Sequence, residues 1–520
     1  MSAIESLGVF EDRSSLHSRH KLRPTDVHSV VCNRVTVSGQ EQYLVRWAGN
    51  WDSSRIPYSW HTIDELSKSL CHLQSYLEDR QNQACNQLLH HDSRSASRKR
   101  KTPDDEATGQ YLAPAQQRSV HPESSRSSSV MSASSDSSRS LQSESRGAVE
   151  PGVYNAVLQK KEGCIIAKAS PATNVTHVSE LPTSTMLEHA AQASTTAAEN
   201  RIRLEMNRKL KALPGAPITF VNTLDRTSPP LSFQFVTKSV LREGVEMLDV
   251  ETVVGCKKCR PDMGAQKGCE YTKMCDCLEF AAVDEARLTE EERAIYEASG
   301  KDNISRFGKK FPYFSSGSRK GCLVPFYLES RNAIYECNQN CRCGPGCKNR
   351  NVQHGRKVEL QIFKTRNRGW GLRCTQNLRE GDFIDTYRGE IITDAEAIRR
   401  EQEAGLGKPS YLYVLDKFGV DNGVAQEDLY VIDGEYLGGP TRFINHSCEP
   451  NCRQYTVSYN KYDFRIYEIA LFAYRDIPAY EELLFDYMDK DDDDPLTEPE
   501  GEHRAECNCG AKNCRKWLWV

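Results

Sequence analysis

Residues 441–452 run Thr441-Arg442-Phe443-Ile444-Asn445-His446-Ser447-Cys448-Glu449-Pro450-Asn451-Cys452. A polar pair, Asn445 and His446, stands beside a potential thiolate ligand, Cys448, and a turn constrained by Pro450. Taken alone, Asn-His-Ser-Cys fits a metal-site loop or a capped turn. Two signals flank it at long range, Arg368-Gly369-Trp370-Gly371 upstream and Glu482-Leu483-Leu484-Phe485-Asp486-Tyr487 downstream. Gly-Trp-Gly by itself is a turn in which small residues let a ligand approach the backbone.

Composition bounds what can surround these stretches. A chain of 520 residues has room for several domains, yet 38% hydrophobic content and a mean hydropathy of −0.64 predict that a sizeable part is unpacked. The net charge of −4 excludes the simplest basic nucleic-acid binder and leaves room for a basic partner. No apolar run approaches the roughly 18–20 residues of a membrane span, and the N-terminus has no signal-peptide core. A soluble intracellular protein with reduced thiols and no membrane partner is expected. Its 20 cysteines, being clustered, then point to metal rather than disulfides.

The first cluster reads C-x2-C-x9-C-x5-C-x-C, a gap of 59, then C-x3-C-x-C-x3-C. It comprises Cys256, Cys259, Cys269, Cys275, Cys277, Cys337, Cys341, Cys343 and Cys347, with Cys322 in the gap. Structural zinc takes four tetrahedral ligands. Two separate four-thiolate sites strand one of the nine cysteines. Three sites need twelve ligand positions, which nine cysteines fill if three of them bridge. Two independent fingers remain the alternative. Near the C-terminus Cys507, Cys509 and Cys514 supply three ligands, and Cys448 is the natural fourth.

The three stretches, in this order, resemble the SET domain of protein lysine methyltransferases. The nine cysteines are similar to the triangular zinc cluster of the pre-SET region in suppressor-of-variegation enzymes, and the tail to the post-SET motif. With the N-terminal module described below, the pattern resembles fungal histone H3 lysine-9 methyltransferases. The resemblance implies a mixed α/β, mostly β architecture, the β-clip fold of small sheets around a knot-like crossing. It places the pre-SET region at 254–350, the SET domain at 356–488, an acidic loop at 489–505 and the post-SET at 506–520. It implies S-adenosylmethionine as cofactor and four zinc ions, three pre-SET and one post-SET.

Residue by residue, the resemblance makes Arg368, Gly369, Trp370, Tyr411, Arg442, Asn445, His446 and Trp517 cofactor contacts. Tyr487, Tyr411 and His446 become catalytic, and Trp519 joins Trp517 in the lid over the channel. Phe485 becomes the determinant of product multiplicity, its missing hydroxyl favouring di- and trimethylation. The sequence departs from the family at Tyr480 and Leu484, where Gly and Thr are usual. Implied partners are the histone H3 tail or nucleosome and heterochromatin proteins, in the nucleus on chromatin. The alternatives are a SET enzyme for another lysine and an inactive chromatin scaffold, which is expected to lose Tyr487, Asn445 or His446.

The N-terminal half carries weaker signals. Tyr43-Leu44-Val45-Arg46-Trp47 alternates roughly as a half-buried strand does, and Ile63, Leu66, Leu70, Leu73 and Leu77 have helical spacing. Residues 24–80 resemble a chromodomain, which reads methyl-lysine through an aromatic cage. Trp47 stands at one cage position and Trp51 could serve another. Val27 and His28 replace the first cage aromatic, and His61 follows Trp60 where an acid is usual. As the other reading, Trp47 and Trp60 are core aromatics. Residues 92–185 are expected to be a disordered Ser-rich linker holding the basic run Arg98-Lys99-Arg100-Lys101. Residues 186–250 are read as a lead-in helix ending before Pro214-Gly215 and a flanking segment, and 288–299 as an acidic helical surface insertion.

Overall fold

The computed structural model describes residues 21–49, 58–96, 153–154, 158–161, 164–167, 181–261, 263, 268–271, 273, 275–301, 307–405, 410–419, 422–488 and 506–518. Trp51, Trp519, the basic run at 98–101, the serine runs and the acidic loop at 489–502 lie outside the described residues. Two compact units divide between Ala198 and Glu199. Among the described residues no helix is long and apolar enough to cross a membrane.

In the first unit, β1 (Val27–Val35), β2 (Glu41–Trp47) and β3 (Tyr58–Thr62) form an antiparallel meander. The strands do not alternate in and out of water, because Tyr43, Leu44 and Val45 are all fully buried. The sheet is in contact with two helices, α1 (Leu70–Ala96) and α2 (Ser184–Gln192), so more than one face is covered. Met186 and Ala190 of α2 pack with Cys32, Leu44, Tyr58 and Trp60. The helix expected from Ile63 begins only at Leu70. Thr62 and Glu65 exchange side-chain-to-backbone hydrogen bonds at 2.9 and 3.4 Å, a capping box that opens a series of turns over 63–68 ahead of the regular helix.

Trp47 is therefore a core residue, a correction to its expected place in a cage. It is 2% exposed, and its indole N–H donates to Ser59 Oγ at 2.7 Å. The Trp60 ring is buried too, with the Arg34 guanidinium 4.0 Å from its centroid. His61 is fully buried, its Nε2 2.5 Å from Ser59 Oγ.

The linker also departs from expectation. β4 (Val153–Tyr154) adds in parallel to the edge of β3, and β5 (Leu158–Lys161) pairs with β6 (Cys164–Ala167). The single lead-in helix is two, α2 and α3 (Thr196–Lys211). The break falls where local caps outcompete continuation. Arg80 donates to the carbonyls of Ala191 and Ala193 at 2.9 Å, closing α2. The buried Glu41 carboxylate accepts from Ala197 N and Ala198 N at 2.9 and 3.1 Å, a negative charge at the start of α3.

The second unit is mostly strand, in small sheets. β7 (Ile218–Val221), β11 (Leu360–Lys364) and β12 (Trp370–Cys374) make a three-stranded sheet in the order β12-β11-β7. β10 (Ile334–Tyr335), β13 (Phe383–Tyr387), β19 (Cys452–Ser458) and β20 (Glu468–Ala473) make another, in the order β10-β19-β20-β13. β9 (Val240–Leu241), β14 (Glu390–Thr393), β15 (Leu412–Val414) and β16 (Tyr430–Asp433) make the third large one, and β8 (Gln234–Phe235) pairs with β17 (Leu437–Gly438). The segment at 288–299 forms α4 (Glu290–Ala298), started by a Thr289/Glu292 capping box. It is more than a surface insertion, since Tyr296 packs with Val283, Leu288 and Phe307 in a small core of its own.

The pairing that positions the site is the shortest. β18 (Asn445–His446) and β21 (Leu484–Phe485) run parallel, Asn445 opposite Leu484 and His446 opposite Phe485. On β21's other flank Leu483 N donates to Leu372 O at 2.8 Å. Asn451 stitches the crossing: its Nδ2 donates to Glu482 O and its Oδ1 accepts from Leu484 N, both at 2.8 Å. The segment is thus held on one side by β12 and on the other by the 445–451 loop.

Candidate active site and zinc centres

Nine buried or half-buried thiols converge in one cluster, Cys256, Cys259, Cys269, Cys275, Cys277, Cys337, Cys341, Cys343 and Cys347. Sulfurs stand 3.3 Å apart for Cys277–Cys341, 3.5 Å for Cys269–Cys337, and 3.9 Å for Cys275–Cys337 and Cys337–Cys347. A disulfide needs about 2.05 Å. Two ligands on a tetrahedral zinc with Zn–S about 2.3 Å are about 3.8 Å apart, so the spacing fits metal. Three four-sulfur groups can be drawn, and Cys337 occurs in all three while Cys256 and Cys269 occur in two. The groups draw on eight of the nine thiols, all but Cys259, and it is the sharing of Cys337, Cys256 and Cys269 that lets eight residues fill twelve ligand places. Backbone donors point at the sulfurs: Cys256 N and Asn338 N donate to Cys341 Sγ at 3.3 and 3.2 Å, and Asn349 N to Cys347 Sγ at 3.3 Å.

The tail brings Cys507, Cys509 and Cys514 to Cys448, with Cys448 and Cys507 sulfurs 3.8 Å apart. By distance alone His446 competes with Cys514 for the fourth place, its Nε2 lying 3.4 Å from Cys448 Sγ. Hydrogen bonding decides between them. Tyr487 N–H donates to His446 Nδ1 at 3.2 Å, so Nδ1 is the lone-pair nitrogen and Nε2 carries the proton. A protonated Nε2 donates to the Cys448 sulfur and cannot ligate. Burial lowers the His446 pKa to about 4, so the ring is neutral near pH 7. Backbone N–H groups of Arg515, Ala511 and Lys516 donate to Cys448, Cys509 and Cys514 Sγ, each at 3.4 Å. Arg515 also clasps Asp486, two residues after Leu484, at 2.7 and 2.5 Å. The tail is thereby tied to the end of β21 as well as to Cys448.

Beside this lies a narrow pocket lined by Tyr387, Tyr411, Tyr413, Ile444, Phe485 and Tyr487. The Tyr487 hydroxyl donates to Ile444 O at 2.8 Å, and the Phe485 and Tyr487 rings are 4.8 Å apart. Burial raises the Tyr487 hydroxyl pKa well above the ordinary tyrosine range, so it stays a neutral phenol. Arg442 donates to Glu435 O at 3.1 Å and places its guanidinium 4.3 Å from the Tyr411 ring. Arg368 donates to Glu482 at 2.6 Å and to His446 O at 3.3 Å. Asn445 Nδ2 donates to Glu482 at 2.8 Å and Trp370 O at 3.3 Å. Gly369 has φ +66, and a Cβ on Gly371 would sit 2.8 Å from Glu482 Oε1. The stretch around Trp370, the 441–452 loop and the 482–487 strand therefore form one surface.

Residues 369–488 match the SET domain and 210–350 the Pre-SET motif. The Neurospora crassa histone-lysine N-methyltransferase, H3 lysine-9 specific dim-5, is 40% identical over 315 residues, 58% of this chain and 88% of that protein. This chain belongs to the SET-domain histone-lysine methyltransferases of the Su(var)3-9 type. The Fusarium mangiferae enzyme KMT1, H3 lysine-9 specific, is 40% identical over 321 residues, 58% of this chain and 88% of its own length. A solved structure of the Neurospora SET domain protein DIM-5 aligns at 37% identity over 55% of this chain and 100% of that one, with a TM-score of 0.45.

Several residues of this methyltransferase site escaped the sequence reading. Tyr387 looked like a strand aromatic, yet it lines the pocket and donates its hydroxyl to Tyr411 O at 2.8 Å. Its signal was indirect: Gly434 is small because a Cβ there would lie 2.5 Å from the Tyr387 hydroxyl. Tyr413, the Ile444 carbonyl and the Asp486–Arg515 pair carried no signal separable from ordinary strand and tail residues. Trp517 forms a β-bridge with Glu506 within the tail.

Proposed function

We propose that this enzyme transfers methyl groups from S-adenosylmethionine to lysine 9 of histone H3 and proceeds to di- and trimethyl-lysine. What carries the reading is the 40% identity to the Neurospora enzyme over 88% of that enzyme's length. Arg368, Gly369, Trp370, Tyr411, Arg442, Asn445, His446 and Trp517 are the proposed cofactor contacts, and Tyr487 with Tyr411 and His446 the catalytic group. When bound, S-adenosylmethionine supplies a methyl group on a sulfonium centre.

The protein's residues have two tasks, to align an amine and to neutralise it. Aromatic walls exclude water and disfavour an ammonium ion. Losing the proton of a lysine with pKa about 10.4 costs roughly 4–5 kcal/mol at pH 7. The Tyr487 hydroxyl hydrogen is committed to Ile444 O, so its oxygen is free to accept from the amine and orient its lone pair.

Four zinc ions per chain, three in the nine-cysteine cluster and one at Cys448, Cys507, Cys509 and Cys514, complete the proposal. Nuclear action on chromatin and contact with heterochromatin proteins follow from a histone substrate. The functional test is labelled-methyl transfer to an H3 tail peptide against the same peptide with lysine 9 replaced by arginine. Transfer is expected to the first alone, and equal labelling of both would overturn the assignment.

A further inference from the structure

Glu482 lies between the two stretches proposed to contact the cofactor and is bonded to both. Oε2 accepts from Arg368 at 2.6 Å and Oε1 from Asn445 Nδ2 at 2.8 Å. The second hydrogen of Asn445 Nδ2 goes to Trp370 O at 3.3 Å. Both partners of the amide nitrogen are pure acceptors, a carboxylate and a carbonyl, so the amide has one orientation. Its NH2 faces the protein, and Oδ1 accepts no hydrogen bond among the described residues. Gly371 serves the same contact, since any side chain there would displace Oε1.

We propose that Glu482 is a positioning residue that turns the Asn445 amide so that an acceptor, not a donor, meets the ligand, selecting the protonated amino group of an amino-acid-bearing cofactor. This rests on the S-adenosylmethionine reading. A carboxylate can accept from Arg368 and Asn445 at once. A glutamine offers one acceptor and one donor, so Glu482→Gln must lose one contact. The Arg368 guanidinium can only donate and makes the shorter bond, so the glutamine oxygen stays with it, the glutamine NH2 faces Asn445, and the Asn445 amide must turn its NH2 toward the ligand.

The test is calorimetric binding of S-adenosylhomocysteine, and of its analogue lacking the α-amino group, to the full chain and to Glu482→Gln. Removing the amino group is expected to weaken wild-type binding on the order of 10–100-fold, the worth of a hydrogen bond to a charged group. In Glu482→Gln that penalty collapses to within about threefold, because there is no longer a well-set acceptor to lose. A merely structural role would weaken both ligands alike and leave the penalty unchanged, which would overturn the proposal. Glu482→Asp provides the second arm should Glu482→Gln fail to fold: it keeps the charge toward Arg368 and shortens the reach to Asn445, with the same collapse expected. Wild-type protein that binds S-adenosylhomocysteine with no amino-group penalty also overturns the role of Glu482. Failure to bind S-adenosylhomocysteine at all overturns the cofactor reading on which it rests.

Discussion

At the scale of single residues, the roles proposed for Phe485 and Tyr487 are to set what the pocket makes and when. The two rings are 4.8 Å apart, and Phe485 has no hydroxyl with which to hold the amine or a water. Phe485→Tyr is expected to shift products from trimethyl toward mono- and dimethyl-lysine while the first transfer survives, as read by mass spectra of peptide turned over by both proteins. Unchanged products would reduce Phe485 to a packing residue. The pH profile has a definite sign. The reactive amine is neutral, so its fraction and the initial rate rise with pH from 7 toward the lysine pKa near about 10.4. Reference values alone put Tyr487 in the same range, but burial lifts its pKa well clear, so only the lysine should bend the limb. An optimum below pH 7 in initial-rate measurements contradicts this. These residues were legible because each is part of a motif with a fixed neighbour. Tyr387 and Glu482 were not, since their roles come from partners 24 and 114 residues away along the chain.

At the scale of elements, the turn into β21 tests the fold's local energetics. Tyr480, where the family resemblance implies glycine, adopts φ +68, the left-handed region that disfavours a Cβ. Its N–H donates to Cys374 O at 2.8 Å, and the Arg373 guanidinium is 5.3 Å from its ring. Relief of the left-handed strain is worth about 1 kcal/mol, and the exposed cation–π contact about 0.5–1 kcal/mol. Loss of that contact offsets part of the gain, so Tyr480→Gly is expected to stabilise by at most about 0.5 kcal/mol in denaturant unfolding, with activity retained. Marked destabilisation would mean that the stacking outweighs the strain. The departure was visible in the sequence, its backbone consequence was not. Long strands such as Leu360–Lys364 and Phe383–Tyr387 could be read from their residues. β17, β18 and β21 have two residues each and pair with distant segments, so no periodicity exists to reveal them. The split of the lead-in helix was equally hidden, because Arg80 and Glu41, which cap its two halves, are more than 100 residues upstream.

For the whole molecule, cysteine spacing was the most informative signal. It anticipated the convergence of nine thiols and of Cys448 with the tail, because ligand geometry restricts spacing far more than packing restricts apolar residues. The N-terminal module shows the opposite case. Its strands were legible, but the burial of Trp47 depended on Ser59 and on helices lying against the sheet, which a cage position in sequence does not record. Metal analysis of the folded chain is expected to return four zinc ions, and two or fewer would contradict the shared-thiolate cluster. The central claim, a lysine methyltransferase acting at one position of one histone, is tested most directly on recombinant histone octamer. Wild-type protein with isotope-labelled S-adenosylmethionine is incubated with octamer, and every histone lysine is read by mass spectrometry. The account predicts label on H3 lysine 9, accumulating through di- to trimethyl-lysine. Label confined to another lysine, or its absence from every histone in a zinc-loaded folded sample, would contradict it.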